Sequence, residues 1–437
     1  MENKNKLGLF SIVLLGINSI IGSGIFGLPG KAYKLMGPAS MLVIIFCMLL
    51  SVSIALCFAE AGSWFKVNGG PYIYAKEAFG DFIGFEVGFM KWAICIIAWS
   101  AMANFFASTL ATVFPAVGHN PGRLIVTAAM LIGLAVMNLM GVKASKIVNN
   151  VVTIGKLVPL LLFVMVGIFF IKGANFTPFT IIPEGQTFTQ SFFAASLIIF
   201  YAYTGFESLA VAAEEMESPE KNIPKALVLV MLFVSIIYVL VMAISTGVLG
   251  GALAGSDAPV ADAAQVMFGG AGKAFIVAGT IISVGGINMA SSFHTPRAAV
   301  ALAEQGLLPA FVAKKNKHGA PAVAIIVSVA LSLLLAVTGS FSFLLQISVI
   351  SRFLQYIPTC IAVLVFRKKY ADRESSFRIP FGPVVPILAT AVSVWLLYHA
   401  ALEDPTKILI GFGGLVIGIP MYFIMKSING KAMDIEA

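Results

Sequence analysis

The sequence predicts an all-helical membrane protein that crosses the bilayer many times, and three observations lead to this prediction. Apolar residues make up 59% of the 437 residues, charged residues make up only 11%, and the mean hydropathy is +0.97. Ordinary soluble domains carry about 25% charged residues. So few charges could not cover the surface of a soluble chain of this length. A soluble enzyme, a nucleic-acid-binding protein and a disordered chain are therefore excluded.

Twelve segments are long and apolar enough to cross a bilayer, which takes about 20 residues of helix. We number them spans 1 to 12, and they cover residues 8–35, 39–65, 83–114, 123–142, 148–171, 190–213, 225–249, 273–301, 320–338, 342–366, 383–402 and 406–427. Span 1 is longer than the core of a cleaved signal peptide, about 7–15 residues, so we expect it to be retained. The longest gap, 250–272, could hold a short helix outside the membrane. The whole chain, 1–437, is expected to form a single polytopic domain.

Lys and Arg are distributed unevenly between the two sides. With the N-terminus inside, the inner segments contain 19 of the 28 basic residues and the outer segments contain 6, while Lys91, Lys156 and Arg352 lie within spans. Basic residues accumulate in cytoplasmic connections. The asymmetry therefore predicts that both termini are cytoplasmic.

The four cysteines give no sign of a disulfide framework or a metal site. Each falls inside an apolar run, without CxxC spacing or a neighbouring histidine. Small apolar packing residues are the better interpretation. We expect no cofactor and no metal.

Span 1 has small residues at its middle, where Gly22, Ser23 and Gly24 follow one another. Each glycine inside a helix costs about 1 kcal/mol relative to alanine, and unwound backbone at this depth must face protein or a watery cavity. The N–H groups that begin the second half of a broken helix can bind an anion, and the carbonyls that end the first half suit an ammonium group. A packing face of small residues explains span 1 alone equally well.

Span 6 favours the broken-helix interpretation. Gly205 lies at its middle and Glu207 follows within two residues. Interruptions at corresponding positions in two halves of a chain indicate a transporter site between inverted repeats. Spans 1 and 6 are separated by the offset that a five-plus-five repeat requires, so the two interruptions together predict a binding site near the bilayer midplane.

Four motifs, in order along the chain, resemble signatures of the amino acid–polyamine–organocation permeases. They are Gly22-Ser-Gly-Ile-Phe26; Ala59-Glu-Ala-Gly-Ser63 with Asn68-Gly-Gly-Pro-Tyr-Ile-Tyr74; Phe200 to Glu207 continuing through Ala213-Glu-Glu215; and Thr295-Pro-Arg297 with Ala303-Glu-Gln-Gly-Leu-Leu-Pro309. The resemblance implies the leucine-transporter fold. Its two inverted five-helix repeats would be 1–171 and 190–366, and 383–427 would add helices 11 and 12. It also implies amino acid transport across the plasma membrane by alternating access.

The same resemblance implies a set of site residues. The substrate carboxylate would meet the N–H groups of Ser23, Gly24 and Ile25. The amino group would meet carbonyls near the two breaks, and Tyr201 would close over the substrate as an aromatic gate. The residues implied near the amino group are Ile20, Ile21, Tyr201 and Thr204, and Gly205 is implied as a further substrate-binding residue. Members that pair with a single-span heavy chain have a cysteine between spans 3 and 4; residues 115–123 contain none, so no such partner is expected.

Charged side chains inside spans need partners, since an isolated charge at the bilayer centre costs at least about 2.5–3.5 kcal/mol. Lys156 lies about eight residues into span 5, where burial disfavours its charged form. In several bacterial relatives a lysine here replaces a sodium ion between spans 1, 5 and 8, which implies a proton-coupled or ion-substituting role; the alternative is a lysine reaching the inner surface. Glu207 could take up a proton or accept from nearby N–H groups. Arg352 could pair with Glu207 or bind an acidic substrate group.

The subsite for the side chain of the substrate has several candidate lining residues. Its candidate lining residues are Trp99, Met102, Ser283, Asn288 and Ser348, and helix packing explains each of them at least as well. A neutral amino acid is favoured as the substrate, transported either with protons as the coupling ion or by exchange. The alternative is an exchanger for a polyamine or for a cationic or acidic amino acid.

Glu60, Glu86 and Lys91 lie near cytoplasmic ends, where solvated or paired structural roles are expected. A channel and a membrane enzyme are disfavoured, because neither a selectivity-filter loop nor an HExxH or GxSxG motif occurs.

Overall fold

The computed structural model describes residues 6–67, 69–141, 146–211, 213, 216–373 and 375–436, without the side chains of 146–150 and 429–436. Asn68, Glu214 and Glu215 of the motifs, and Lys4 and Lys143 of the charge count, lie outside this part, as do the side chains of Lys146 and Lys431. The described chain is helical, and its only extended pairing is two isolated bridges.

The described residues form fifteen α-helices. They are α1 (Leu9–Ile20), α2 (Ser23–Met36), α3 (Ser40–Ser63), α4 (Pro71–Phe79), α5 (Asp81–Ala111), α6 (Gly122–Leu139), α7 (Lys146–Gly167), α8 (Phe188–Phe200), α9 (Pro219–Leu249), α10 (Pro259–Glu304), α11 (Ala322–Thr338), α12 (Phe341–Lys369), α13 (Val384–Glu403), α14 (Pro405–Gly411) and α15 (Gly413–Glu436). Ten helical segments in the described chain are long and apolar enough to cross a membrane, and α1 and α11 are shorter apolar helices. The architecture is that of a multi-pass membrane protein.

Several helices depart from the predicted spans at glycine or proline. The short helix α4, which the apolar pattern does not predict, lies between Gly70 (φ +49°) and Gly80 (φ +93°) and begins at Pro71. The gap between spans 7 and 8 contains the first turns of α10, which bends at Gly269 (φ +69°). Left-handed backbone of this kind is readily adopted by glycine.

The broken first span lies in the interior of the molecule. Helix α1 packs against α7 and α9, and α2 packs against α8 and α10. Every residue from Ile21 to Gly30 is buried, whereas large apolar side chains such as Leu49 and Leu232, each 59% exposed, cover the outer surface. The irregular backbone of span 1 therefore faces protein and not the lipid.

The segment between α12 and α13, described at residues 370–373 and 375–382, is attached to α3 through Ile379 and to the start of α9 through the Ser376 hydroxyl, which donates to the Glu220 carbonyl. Glu60 accepts two hydrogen bonds of 2.6 Å from Arg367 and one of 2.8 Å from the Ile379 N–H. The hydroxyls of Ser63 and Ser375 lie 2.6 Å apart. This segment ties the end of α12 to the end of α3.

Candidate functional site

The first break spans two residues. Helix α1 ends at Ile20, Ile21 is extended (φ −71°, ψ 103°), Gly22 is also non-helical (φ −145°, ψ −143°), and α2 begins at Ser23. No side chain caps the N-terminus of α2. The first N–H groups of a helix have no partner within it and lie at the positive end of its dipole. Ser23, Gly24 and Ile25 are buried, so their N–H groups lie in the protein interior at the end of α2 whose dipole favours an anion.

The second break interrupts span 6. Helix α8 ends at Phe200 and is followed by a 3₁₀ turn, Tyr201–Tyr203. Thr204 is then extended, Gly205 has φ +115°, and a second 3₁₀ turn covers Phe206–Ala210. Glycine explains the position of this break, since few other residues adopt that φ.

The two breaks are in direct backbone contact. A Cβ atom on Gly24 would lie 2.5 Å from the Cα of Ala202, and a Cβ atom on Gly205 would overlap the carbonyl oxygen of Ser19. Because neither glycine has a Cβ atom, the backbones of the two spans can approach each other closely at both positions. The contact brings Ile20, Ile21, Ser23, Gly24 and Ile25 together with Tyr201, Thr204 and Gly205.

Three of the carbonyls assigned to the substrate amino group already accept a hydrogen bond. The Ile20 oxygen accepts from the Tyr238 hydroxyl at 3.2 Å, and the Tyr201 oxygen accepts from the Thr204 hydroxyl at 2.8 Å. The third is Ile21, which accepts from Lys156. The Tyr201 oxygen also accepts from the Thr204 N–H at 3.1 Å, and the Ile21 oxygen also accepts from the Ser283 hydroxyl. Since a carbonyl oxygen has two lone pairs, the Ile20 oxygen is the one of the three best placed to accept a further bond from an ammonium group.

Lys156 reaches the first break from α7. Its side chain is fully buried, and its Nζ donates to the carbonyl oxygens of Asn18 at 2.8 Å and Ile21 at 2.5 Å. The Ser283 hydroxyl of α10 lies 3.4 Å from the same Ile21 oxygen. The ammonium group thus lies where spans 1, 5 and 8 meet, away from any surface.

Glu207 is surrounded by donors from four directions. Its Oε1 accepts from Arg352 and lies 3.5 Å from Lys91, and its Oε2 accepts from the Gly205 N–H at 2.9 Å and the Tyr356 hydroxyl at 3.0 Å. Four donors, two of them cationic, favour the ionised form of a carboxylate. The sequence predicts Lys91 near a cytoplasmic end and does not single out Tyr356. A lysine within a span needs a partner, and this need is the feature of the sequence that points to a pairing of Lys91.

The remaining candidates divide between the break and helix packing. Met102 accepts from the Ser23 hydroxyl at 3.2 Å, so it lies at the break. Trp99 belongs to a separate cluster with Leu131 and Ile325, which favours the packing interpretation. Asn288 bonds to Val284 of its own helix. Ser348 is fully buried on α12.

Tyr201 lies against Phe341, the first residue of α12. Their ring centroids are 6.2 Å apart, and Tyr201 is 3% exposed. Lys31 also contacts Phe341, with its Nζ 4.9 Å from the ring centroid, and donates to the Ser342 hydroxyl at 2.6 Å. Aromatic and cationic groups thus close one side of the break.

The other acidic candidates lie outside this arrangement. Glu60 is paired with Arg367. Glu86 is buried against Gly418, and within the described chain its carboxylate oxygens have no hydrogen-bond partner. Among the described residues no group of three His, Cys, Asp or Glu side chains could hold a metal ion.

Comparison with known proteins identifies the family of the chain. The family model described as amino acid permease matches residues 7–429. An uncharacterised transporter of Mycobacterium tuberculosis is 35% identical, over 90% of this chain and 87% of the relative. The branched-chain amino acid permease BcaP of Bacillus subtilis is 30% identical (98% and 94%), and the serine/threonine exchanger SteT of the same organism is 31% identical (97% and 97%). The chain therefore belongs to the amino acid permease family and is a secondary transporter of amino acids.

Proposed function

We propose that this protein moves a neutral L-amino acid across the plasma membrane by alternating access, as a proton symporter or an exchanger. The observation that carries the proposal is the contact between the two breaks. It joins the uncapped N-terminus of α2 to the carbonyls that end α1 and to the unwound Thr204. Donors for a carboxylate and acceptors for an ammonium group thus lie together, as the common part of an amino acid requires.

The charge pairing next to the site favours a neutral substrate. Glu207 would attract a cationic side chain and Arg352 an acidic one, but the two bind each other. A charged substrate would have to displace this buried partner, which is costly. A polyamine is disfavoured for a different reason, since it has no carboxylate for the N–H groups of Ser23, Gly24 and Ile25.

We propose Lys156 as the coupling group. Two carbonyl oxygens hold its ammonium at the break, in the position where a sodium ion would otherwise satisfy them. Deprotonation would weaken this link between α7 and span 1, because the neutral amine keeps two N–H donors but loses the charge that strengthens both hydrogen bonds. A proton on Lys156 can therefore influence the shape of the binding site. Glu207, with its four donors, fits the structural alternative better than a role in proton transfer.

The proposal includes the finer architecture and its setting. Twelve spans would form the leucine-transporter fold, with both termini in the cytoplasm. The substrate, protons and the lipid bilayer would be the partners, without nucleic acid, cofactor or disulfide-linked heavy chain. Transport would involve no covalent catalysis by the protein.

Uptake by the purified protein in proteoliposomes tests the proposal. A panel of radiolabelled amino acids is compared with and without a pH gradient, and with and without internal substrate. Neutral amino acids should accumulate, and a tenfold excess of putrescine should not compete. Uptake restricted to putrescine or to cationic substrates would contradict the assignment.

A further inference from the structure

A basic surface lies at one end of the helices, away from the two breaks. Residues 297–321 contain Arg297, Lys314, Lys315 and Lys317 against one acidic residue, Glu304, and the next acidic residue in the chain is Asp372. Arg297 and the three lysines are exposed. We refer to these four residues and His318 as the basic surface.

The loop that carries the three lysines is well ordered by hydrogen bonds. The Asn316 side-chain oxygen accepts from the N–H groups of His318 at 2.9 Å and Ala320 at 3.0 Å. Its side-chain nitrogen donates to the Leu139 carbonyl at 2.9 Å. The loop is therefore fixed against the end of α6, and the lysines are presented from a rigid turn, which lowers the entropic cost of binding a ligand.

A small cavity with a mixed polar and apolar lining adjoins the basic surface. It has a volume of about 40 Å³ and is lined in part by Asn138, Ser292, Arg297 and His318. At about 10–15 Å³ for each water, it has room for about three water molecules. That is too little for an amino acid but sufficient for the oxygen atoms of a phosphate group.

An exposed aromatic side chain precedes the lysines. Phe311 lies in the 3₁₀ turn Ala310–Ala313 and is 60% exposed, three residues before Lys314. Exposed aromatic residues beside lysines are typical of segments that lie in the membrane interface, with the ring among the lipid chains and the ammonium groups among the phosphates. The loop joins the ends of two apolar helices, α10 and α11, which is where such an interface is expected.

We propose that the basic surface and its cavity bind the headgroup of an anionic phospholipid. The lipid phosphate would lie at the cavity between Arg297 and His318, the lysines would neutralise its charge and that of neighbouring headgroups, and Phe311 would contact the acyl chains. Basic pockets between helix ends are suited to such headgroups. The site is independent of amino acid binding, because it lies at the ends of α6 and α10.

Native mass spectrometry of the purified full chain in detergent tests this site. Phosphatidylglycerol and phosphatidylcholine with the same acyl chains are added, and bound lipid is counted. We expect phosphatidylglycerol to be retained in preference, and the variant K314Q/K315Q/K317Q to bind it at least about tenfold more weakly. The matched control K221Q/K225Q/K368Q removes three exposed lysines elsewhere and should bind as the wild type does.

Two further measurements make the outcome decisive. Phe311→Ser should weaken retention of phosphatidylglycerol, whereas a simple phosphate site would be unaffected. Inorganic phosphate at millimolar concentration should not displace the lipid; displacement would identify a site for free phosphate and overturn the proposal. Equal binding of the two lipids, or equal loss in the control variant, would also overturn it. The readout is lipid retention, so its failure would leave the proposed transport function untouched.

Discussion

The Nζ atom of Lys156 lies 2.5 Å from the carbonyl oxygen of Ile21, the first residue of the break in span 1. One side chain of span 5 thus satisfies backbone that the helix itself leaves unpaired. A carbonyl buried without a partner costs about 1–3 kcal/mol. We therefore expect the protonation of Lys156 to influence the conformation of the break, as proposed above.

Lys156→Ala should separate transport from the pH gradient. Without the ammonium group no proton can be exchanged at the break, so downhill exchange of substrate should persist while gradient-driven accumulation is lost. The measurement is proteoliposome uptake at a series of external pH values. Lys172→Ala, which removes an exposed lysine, is the control and should accumulate substrate normally. An unchanged pH dependence in Lys156→Ala would exclude this lysine as the coupling group.

Sodium should be dispensable for transport. In the proposed mechanism the Lys156 ammonium group takes the position between spans 1, 5 and 8 that the family resemblance assigns to a sodium ion, and two like charges cannot share it. Uptake is compared in sodium and in potassium buffers at the same ionic strength, with choline as a third cation. Strict dependence on sodium would require a different coupling site.

Gly24→Ala should abolish uptake without preventing folding in the membrane. The added methyl group would meet the Cα of Ala202 at 2.5 Å, so the two breaks would be forced apart. Gly133→Ala is the matched control, since a Cβ atom there has nothing within 4 Å. We expect at least about a tenfold loss of uptake for Gly24→Ala and none for Gly133→Ala, with both proteins monodisperse on gel filtration. Normal uptake by Gly24→Ala would disprove a site built on the contact of the breaks.

Glu207→Gln should destabilise the protein by about 3–5 kcal/mol, because Arg352 and Lys91 would remain as buried cations without their carboxylate. Replacing Arg352 by Gln as well should cost less than the two single changes together. Thermal unfolding in detergent measures all three variants, with the exposed Glu184→Gln as a control. Additive losses would mean that the pair is not coupled energetically.

Tyr201 should act through its ring. Tyr201→Phe keeps the contact with Phe341 and should transport with nearly unchanged KM, whereas Tyr201→Ala should raise KM about tenfold, equivalent to about 1.4 kcal/mol. Tyr398→Ala, at a position 59% exposed, provides the control. If Phe and Ala have the same effect at 201, the hydroxyl and not the ring is what matters.

The sequence could predict the interruptions because they depend on local chemistry. Gly22 and Gly205 are recognisable in mid-span, and both breaks lie where these glycines indicate. Helix existence was equally accessible, since apolar length alone specifies a span. The nine-residue helix α4 was not, because its apolar pattern is short and only its glycine and proline boundaries indicate it.

Which side chains pair with each other was much harder to predict from the sequence than where each residue lies along its span. Lys91 and Glu207 are 116 residues apart, and nothing in either segment specifies that their side chains meet. The same holds for Trp99, whose type suggests a substrate pocket but whose helix face is directed at α6 and α11. Such contacts depend on how helices rotate about their axes, which is decided by packing across the whole bundle.

Helix α12 forms ion pairs with other helical segments at two positions along its length. Arg352 binds Glu207 beside the break in span 6, and fifteen residues further on Arg367 binds Glu60 at the end of α3. At 1.5 Å per residue, these attachments are about 22 Å apart along the helix axis. A helix attached at two such positions can tilt together with the segments that it binds. It cannot rotate about its own axis unless one of the two ion pairs breaks. A motion that exposes the site to the opposite side of the membrane can move α12, α3 and the second half of span 6 together as one rigid body. Otherwise, an ion pair must break in each transport cycle, which costs free energy.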